Sequence, residues 1–143
     1  DISYVQDMIV HHRQALRMTE LASKYAHAKP VRAIAERIDA AQRPEIEAMR
    51  AWLKRHGKPE ADRDGHHHAA MPGMASEEEL RALGRARGAA FDDLFLDLMI
   101  EHHRGALTMA GDVLARGNDI AVEEMATDVI AQQSSEIARM RDM

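Results

Sequence analysis

The chain has 143 residues, the size of one ordinary domain, with a formal net charge of -5 and no apolar run of transmembrane length. Its basic residues form no cluster on one face, which argues against nucleic acid or an anionic membrane surface as a partner. Cysteine is absent, so disulfides, thiolate metal sites and thiol nucleophiles are excluded.

The first two predicted helices form a hairpin. An amphipathic pattern predicts one helix over residues 2–27, with Tyr4, Met8, His11 and His12 on its inward side. Pro30 suits the start of a second helix that ends near residue 56, before Gly57. Because Pro44 lies inside this second helix, we expect a kink near residues 40–44.

The second half of the chain repeats this plan after a loop. Residues 57–75 have Gly, Pro and charge without periodicity, which predicts a connection between the halves. Ser76 and Glu79 form a capping-box pattern, so we expect a short helix from there to about Gly88. Third and fourth long helices are expected at about 91–116 and from about 119 to residue 143.

These elements predict an all-α protein, an antiparallel four-helix bundle with a short extra helix before the third long helix. We expect one domain over residues 1–143, composed of a first hairpin (1–56), a loop (57–75), and the short helix with the second hairpin (76–143).

An internal repeat supports the two-hairpin arrangement. Shifting the chain by 91 residues aligns 1–52 with 92–143 without a gap, and 17 of the 52 pairs are identical. "MIVHHRQALRM" then faces "MIEHHRGALTM", and "QRPEIEAMR" faces "QSSEIARMR". Duplication of one helical hairpin is the simplest interpretation.

The repeated histidines, His11, His12, His102 and His103, are the first candidate functional residues. Each pair is expected to face a helix that carries Gln and Glu on its inward side, including Glu45 and Glu136. One interpretation is structural, with each core His hydrogen-bonded to Glu. The other is metal binding, because a bundle that only packed would have leucine there and buried polar groups cost about 1–3 kcal/mol each unless partnered.

Methionines recur at matched positions around these histidines. Met8 and Met18 flank His11 along its helix, as Met99 and Met109 flank His102, while Met49 and Met140 lie on the facing helices. Methionine usually fills gaps in a core, but thioether is also a soft ligand that prefers Cu(I), and imidazole binds Cu(I), Cu(II) and Zn. The mixture therefore indicates copper, with Ag(I) as a surrogate.

The loop adds His66, His67, His68, Met71 and Met74, a short tract with metal-binding composition whose alternative interpretation is a flexible polar linker.

A di-iron carboxylate oxidase is the enzymatic alternative. Such a bundle requires Glu-x-x-His on two helices and further glutamates on the others. Here methionine or isoleucine stands three residues before each His, and Glu45 and Glu136 are the only two glutamates that the repeat matches. We therefore expect a protein that is not an enzyme.

The quoted motifs, together with "FDDLFLDLMIEHHRGALTMA", "IAQQSSEIARM" and "MPGM", resemble the family called domain of unknown function 305, in the ferritin-like superfamily. The resemblance covers nearly the whole chain. It implies a ferritin-like four-helix bundle, usually exported, and some members are similar to CopM-type periplasmic copper-binding proteins. It also implies that the four repeated histidines bind the metal with nearby methionines, including Met71 and Met74.

The sequence thus predicts a protein that binds Cu(I), with Cu(II) or Ag(I) as alternatives, for buffering, resistance or transfer in the periplasm or outside the cell. Since the chain opens at Asp1 without an apolar leader, we expect an export signal to have been removed. Another extracytoplasmic copper protein is the expected partner, without nucleic-acid binding or membrane insertion, and the oligomeric state is left open. His/Met ligation suits an oxidising compartment, whereas cytosolic carriers rely on thiolates.

Overall fold

The computed structural model describes residues 1–60 and 71–143, and in these ranges the chain forms five α-helices and no β-strand. The helices are α1 (Ile2–Tyr25), α2 (Lys29–Arg55), α3 (Glu77–Arg85), α4 (Gly88–Arg116) and α5 (Ile120–Arg141). The predicted all-α class and order of elements are confirmed. None of the helices in the described ranges is both long enough and apolar enough to cross a membrane.

Side-chain hydrogen bonds to backbone amides lie at the starts of α2, α3 and α5. At α3 the Ser76 hydroxyl accepts from the Glu79 amide while the Glu79 carboxylate accepts from the Ser76 amide, which confirms the capping box. The Asp92 carboxylate, from α4, accepts from the amides of His27 and Ala28 at the start of α2. Asp119 caps α5 through the Val122 amide.

The boundary between α3 and α4 differs from the expectation. The short helix ends at Arg85 instead of Gly88, because Ala86 and Arg87 are extended. Gly88 has a φ of 62° and opens α4 three residues earlier than predicted. A left-handed residue at this junction is accommodated by glycine without steric cost. Pro44 does not divide α2, which is continuous from Lys29 to Arg55, and the kink stays a prediction.

The four long helices pack as a bundle. The main contacts are α1 with α2 and α4 with α5, and the two hairpins meet through α1 with α4 and α2 with α5, while α3 lies against α1 and α4. The start of α1 shares one apolar cluster with the end of α4, so these two helices run antiparallel.

Buried side chains divide the bundle interior into three zones. One apolar cluster contains Phe91, Phe95 and Ile38, and the other contains Trp52, Leu53 and Val5. Along each long helix, two polar residues lie between the segments that enter these two clusters. This middle zone, the polar layer, consists of His11, His12, Gln42, Glu45, His102, His103, Gln133 and Glu136.

Candidate metal centre

The four repeated histidines come together in the polar layer, on the inward sides of α1 and α4. All four side chains are completely buried. The rings of His11 and His102 lie 3.8 Å apart between centroids, with their planes tilted by 34°. Helical geometry explains how adjacent histidines can both be buried: they point about 100° apart, and each of the two directions meets a different neighbouring helix.

His12 and His103 each pair with a glutamate across their own hairpin. The Nε2 atoms lie 2.7 Å from Oε1 of Glu45 and Glu136, respectively. An ionised carboxylate only accepts hydrogen bonds, so each Nε2 carries the proton and a neutral imidazole presents its lone pair at Nδ1. Carboxylates orient metal-binding histidines in the same way.

His11 is oriented by a backbone carbonyl instead. Its Nε2–H donates to the Pro72 oxygen at 2.9 Å, which again leaves the Nδ1 lone pair free. Pro72 belongs to residues 71–75, a segment that we call the strap because it lies between α1 and α4. Gln14 holds the strap through two 2.9 Å hydrogen bonds, one to the Ala75 amide and one to its carbonyl.

A glycine of α4 allows the strap to approach this closely. Gly105 is buried, and a Cβ atom there would overlap the carbonyl oxygen of Pro72. Gly73 in the strap has a φ of 73° and lies against Glu101 and Gly105. Gln14 and Gly105 occupy matched positions of the repeat but are different residues. The difference has a structural role, because Gln14 binds the strap and Gly105 leaves room for it.

The polar layer contains many buried polar atoms that have no hydrogen-bond partner among residues 1–60 and 71–143. They include Nδ1 of all four histidines, Nε2 of His102, and both amide atoms of Gln42 and Gln133. Burying a polar group without a hydrogen bond costs about 1–3 kcal/mol, so a concentration of such atoms in one zone calls for an explanation such as a bound ion. The free Nδ1 atoms provide the ligand chemistry for one.

Burial keeps the imidazoles of His11 and His102 neutral. Desolvation lowers the pKa of His11 to about 4, partly opposed by the hydrogen bond to Pro72 and reinforced by the charges of His12 and His103. For His102, desolvation again and then the neighbouring imidazoles lower the pKa well below its ordinary value. Neutral imidazole is the form that ligates metals, so both residues are competent ligands at neutral pH.

The methionines flank the polar layer on both sides. Met8 and Met49 lie in one apolar cluster with Met109 packed against it, while Met99, Met140 and Met18 lie in the other. Of these six methionines, each cluster thus contains two from one half of the repeat and one from the other half. Met8 and Met18, which flank His11 in sequence, are consequently in different clusters. Thioether is available on either side of the imidazoles.

The loop candidates have different outcomes. Met71 is buried and Met74 is half-buried, both in or beside the contact between the strap and the bundle. His66, His67 and His68 lie outside the described residues, so their metal-binding role stays a prediction.

Within residues 1–60 and 71–143, no group of three or more His, Asp or Glu side chains is arranged to hold a metal ion. Three of the four histidines are instead hydrogen-bonded through Nε2, His11 to the Pro72 carbonyl and His12 and His103 to the two glutamates. A cation in this layer would therefore need thioether or amide ligands beside imidazole, which favours a soft ion that accepts few ligands.

Several residues that shape this centre lay beyond the sequence predictions. They are the Pro72 carbonyl, Gln14 and Gly105 at the strap, and the matched pair Arg37 and Asp128 outside the two glutamates. Positions 14/105 and 37/128 differ between the halves, but so do most of the 52 matched pairs, so this difference was only a weak signal.

Comparison with known proteins places this geometry in context. The profile of the family named domain of unknown function (DUF305) matches residues 1–143. A comparison with curated protein sequences found no match. A DUF305 fragment from Deinococcus radiodurans has a similar structure, with a TM-score of 0.91, 34% identity, and coverage of 99% of this chain and 92% of that one.

Two further solved structures add information. A DUF305 protein from Streptomyces coelicolor, assigned to the secreted proteins, gives a TM-score of 0.90 at 32% identity, covering 97% of this chain and 88% of its own. CopM in the Cu(I)-bound form gives 0.83 at 28% identity, covering 99% and 93%. CopM is also known in Cu(II)-bound and Ag-bound forms with the same fold.

Proposed function

Because this chain belongs to the DUF305 family and its structure is similar to that of CopM in the Cu(I)-bound form, we propose that it binds copper as cargo, with Cu(I) preferred. The observation that carries the proposal is the set of free, buried Nδ1 atoms. Three histidines have Nε2 occupied by Glu45, Glu136 or the Pro72 carbonyl, so only Nδ1 can ligate. His102 has both nitrogens available.

The choice of Cu(I) follows from the neighbours of the imidazoles. Thioethers of completely buried Met8, Met18 and Met99 border the polar layer, and thioether prefers Cu(I) among biological cations. Five further methionines can supply thioether ligands: Met49, Met140, Met71, Met74 and Met109. Glu45 and Glu136 orient the imidazoles and do not ligate the ion. The similarity to CopM at 28% identity supports Cu(I), Cu(II) or Ag(I) as the bound ion.

The proposed role is buffering, resistance or transfer outside the cytoplasm, without catalysis. Ligation without cysteine suits an oxidising compartment, and the similar Streptomyces protein is assigned as secreted. The partner is another extracytoplasmic copper protein that receives or delivers the ion. Within the described residues the polar layer has two glutamates, each hydrogen-bonded to a histidine through Oε1, whereas a di-iron bundle of this type uses four glutamates.

A structural role is the second candidate, favoured by the two 2.7 Å His–Glu hydrogen bonds. The two candidates differ in their response to metal. A cation that binds only the native state raises the unfolding temperature by mass action, whereas a purely structural bundle has an unchanged midpoint with excess Cu(I) or Ag(I).

The decisive experiment is an anaerobic Cu(I) competition titration against a coloured chelator. We expect the double variant His12→Ala/His103→Ala to lose most of the affinity, while His27→Ala/His56→Ala, which removes two exposed histidines, binds like the native protein. Met8→Leu/Met99→Leu, compared with the exposed Met143→Leu, tests the thioethers without adding a polar change. Equal affinities for both histidine variants would refute this site.

A further inference from the structure

The two glutamates of the polar layer have different access to solvent. The Glu45 side chain is 21% exposed, whereas that of Glu136 is completely buried. Glu45 also lines a surface cavity of about 170 Å³ between α2 and α5. This cavity therefore leads from solvent to a carboxylate that is hydrogen-bonded to a buried imidazole of the proposed copper centre.

The lining of the cavity has the chemistry of a soft-cation site. It contains the thioethers of Met49 and Met125 and the carboxylates of Glu45 and Asp128, and its other walls are Pro44, Ala48 and Val129. Met49 is buried and Met125 half-buried, while Asp128 is exposed. The carboxylates attract a cation, and the thioethers replace the water that Cu(I) or Ag(I) loses on entering an apolar wall.

The matched cavity on the other side of the polar layer, which Ile34, Arg37 and Arg139 help to line, has a different chemistry. The positions that match Met125 and Asp128 hold Ile34 and Arg37, so a thioether becomes a hydrocarbon and a negative charge becomes positive. Nε of Arg37 lies 3.8 Å from Oε2 of Glu136. A guanidinium over the buried carboxylate repels an approaching cation, which makes this side unsuitable as a route.

We propose that the cavity lined by Met49, Met125, Glu45 and Asp128 is the port through which Cu(I) enters and leaves the polar layer. The inference rests on the proposed function. The charge of Asp128 attracts the ion to the cavity, and the thioethers of Met125 and Met49 bind it transiently along the apolar wall. Glu45, at the inner end, lies directly beside His12. Asp128 and Met125 thus act on exchange rate and are not ligands of the stored ion.

The test measures rates and equilibrium separately on the full chain. Cu(I)-loaded protein is mixed anaerobically with excess chromophoric chelator in a stopped-flow instrument, and affinity is measured by equilibrium competition. The variants are Asp128→Asn, Met125→Leu, and Ala48→Phe, which fills the cavity from an exposed helical position. Asp112→Asn removes the same charge from an exposed site on α4 and serves as the control.

We expect each port variant to slow uptake and release together by about fivefold, with affinity changed by less than about twofold, because the port affects the path and not the bound state. The Asp128→Asn effect should shrink at high ionic strength, where surface charges are screened. The control should exchange at the native rate.

Three results would overturn the port. Native exchange rates in all three variants with intact Cu(I) binding would refute the port and leave the proposed function standing. Weaker affinity caused only by faster release would make Asp128 or Met125 a ligand of the stored ion instead. Failure of the native protein to bind Cu(I) would remove the proposed function together with the port.

Discussion

The two His–Glu pairs of this bundle have the same internal geometry but different surroundings. His12–Glu45 and His103–Glu136 are both 2.7 Å long and connect matched residues of the two halves. Around Glu136 burial is complete and Arg37 is near, whereas Glu45 is partly exposed beside Asp128. Two identical His–Glu pairs therefore differ in solvent exposure and in the sign of the neighbouring charge, because the residues that surround the two glutamates differ.

Removal of either glutamate should change the stability of the fold, and the two losses should differ more than those of any other pair of variants. We expect Glu136→Ala to destabilise the fold by about 3 kcal/mol, because it leaves His103 and the Arg37 guanidinium without their buried carboxylate. Glu45→Ala should cost about 1 kcal/mol, since solvent reaches this pair. Urea unfolding at pH 7.5 measures both. Equal losses would mean that the exposure of Glu45 has no energetic consequence.

Acid titration of the metal-free protein should have an effect of similar size. His11 has a pKa of about 4 when folded and about 6.5 when unfolded, so the unfolded state binds more protons between these values. Stability is therefore complete above about pH 6.5 and falls by about 3 kcal/mol as the pH approaches 4. Burial also lowers the pKa of His102, so its contribution to stability changes with pH in the same direction.

Urea unfolding at several pH values between 7.5 and 4 checks this slope, with His27→Gln as a control because that side chain is exposed. The control should retain the slope of the native protein. A native protein whose stability is constant across this window would contradict the burial of neutral His11.

The strap distinguishes two glycines of α4. We expect Gly105→Ala to destabilise the protein by about 2 kcal/mol, because the new methyl group overlaps the Pro72 carbonyl and disturbs its bond to His11. Gly111→Ala meets no atom within 4 Å and should stabilise the helix by about 0.5–1 kcal/mol. Thermal unfolding of the two variants gives the comparison. Gain of stability in both would show that the strap does not bind α4 as described.

The smallest effect concerns Tyr4, whose matched residue is Phe95. Its buried hydroxyl has no hydrogen-bond partner in the described part of the chain, and burial followed by the charge of Glu45 raises its pKa. Tyr4→Phe makes the halves more alike and should stabilise the fold by about 1 kcal/mol, since an unpaired hydroxyl is removed. Loss of stability in urea unfolding would indicate that the hydroxyl has a partner.

Local patterns made the fold predictable. The 3.6-residue periodicity located four long helices to within a few residues, and Ser76 with Glu79 correctly marked the start of α3 because a capping box depends only on neighbouring residues. The end of α3 was wrong, since the extended Ala86 and Arg87 leave little local signal.

The site was predictable only in its inner residues. Inward-facing histidines and the Glu on the opposing helix follow from helical spacing, and the structure brings them together. The pairing of His11 with the Pro72 carbonyl could not be predicted, because it depends on how the strap lies over α4. The same applies to Arg37 and Asp128, whose effects depend on tertiary proximity rather than sequence spacing.

The most direct test of the central claim is NMR of protein with ¹⁵N-labelled histidine during anaerobic titration with Cu(I) or Ag(I). We predict that the Nδ1 resonances of His12 and His103 shift on binding. Their Nε2 atoms should stay protonated and hydrogen-bonded to Glu45 and Glu136. Shifts confined to the exposed His27 and His56, or ligation at Nε2 with loss of the glutamate bonds, would contradict this prediction.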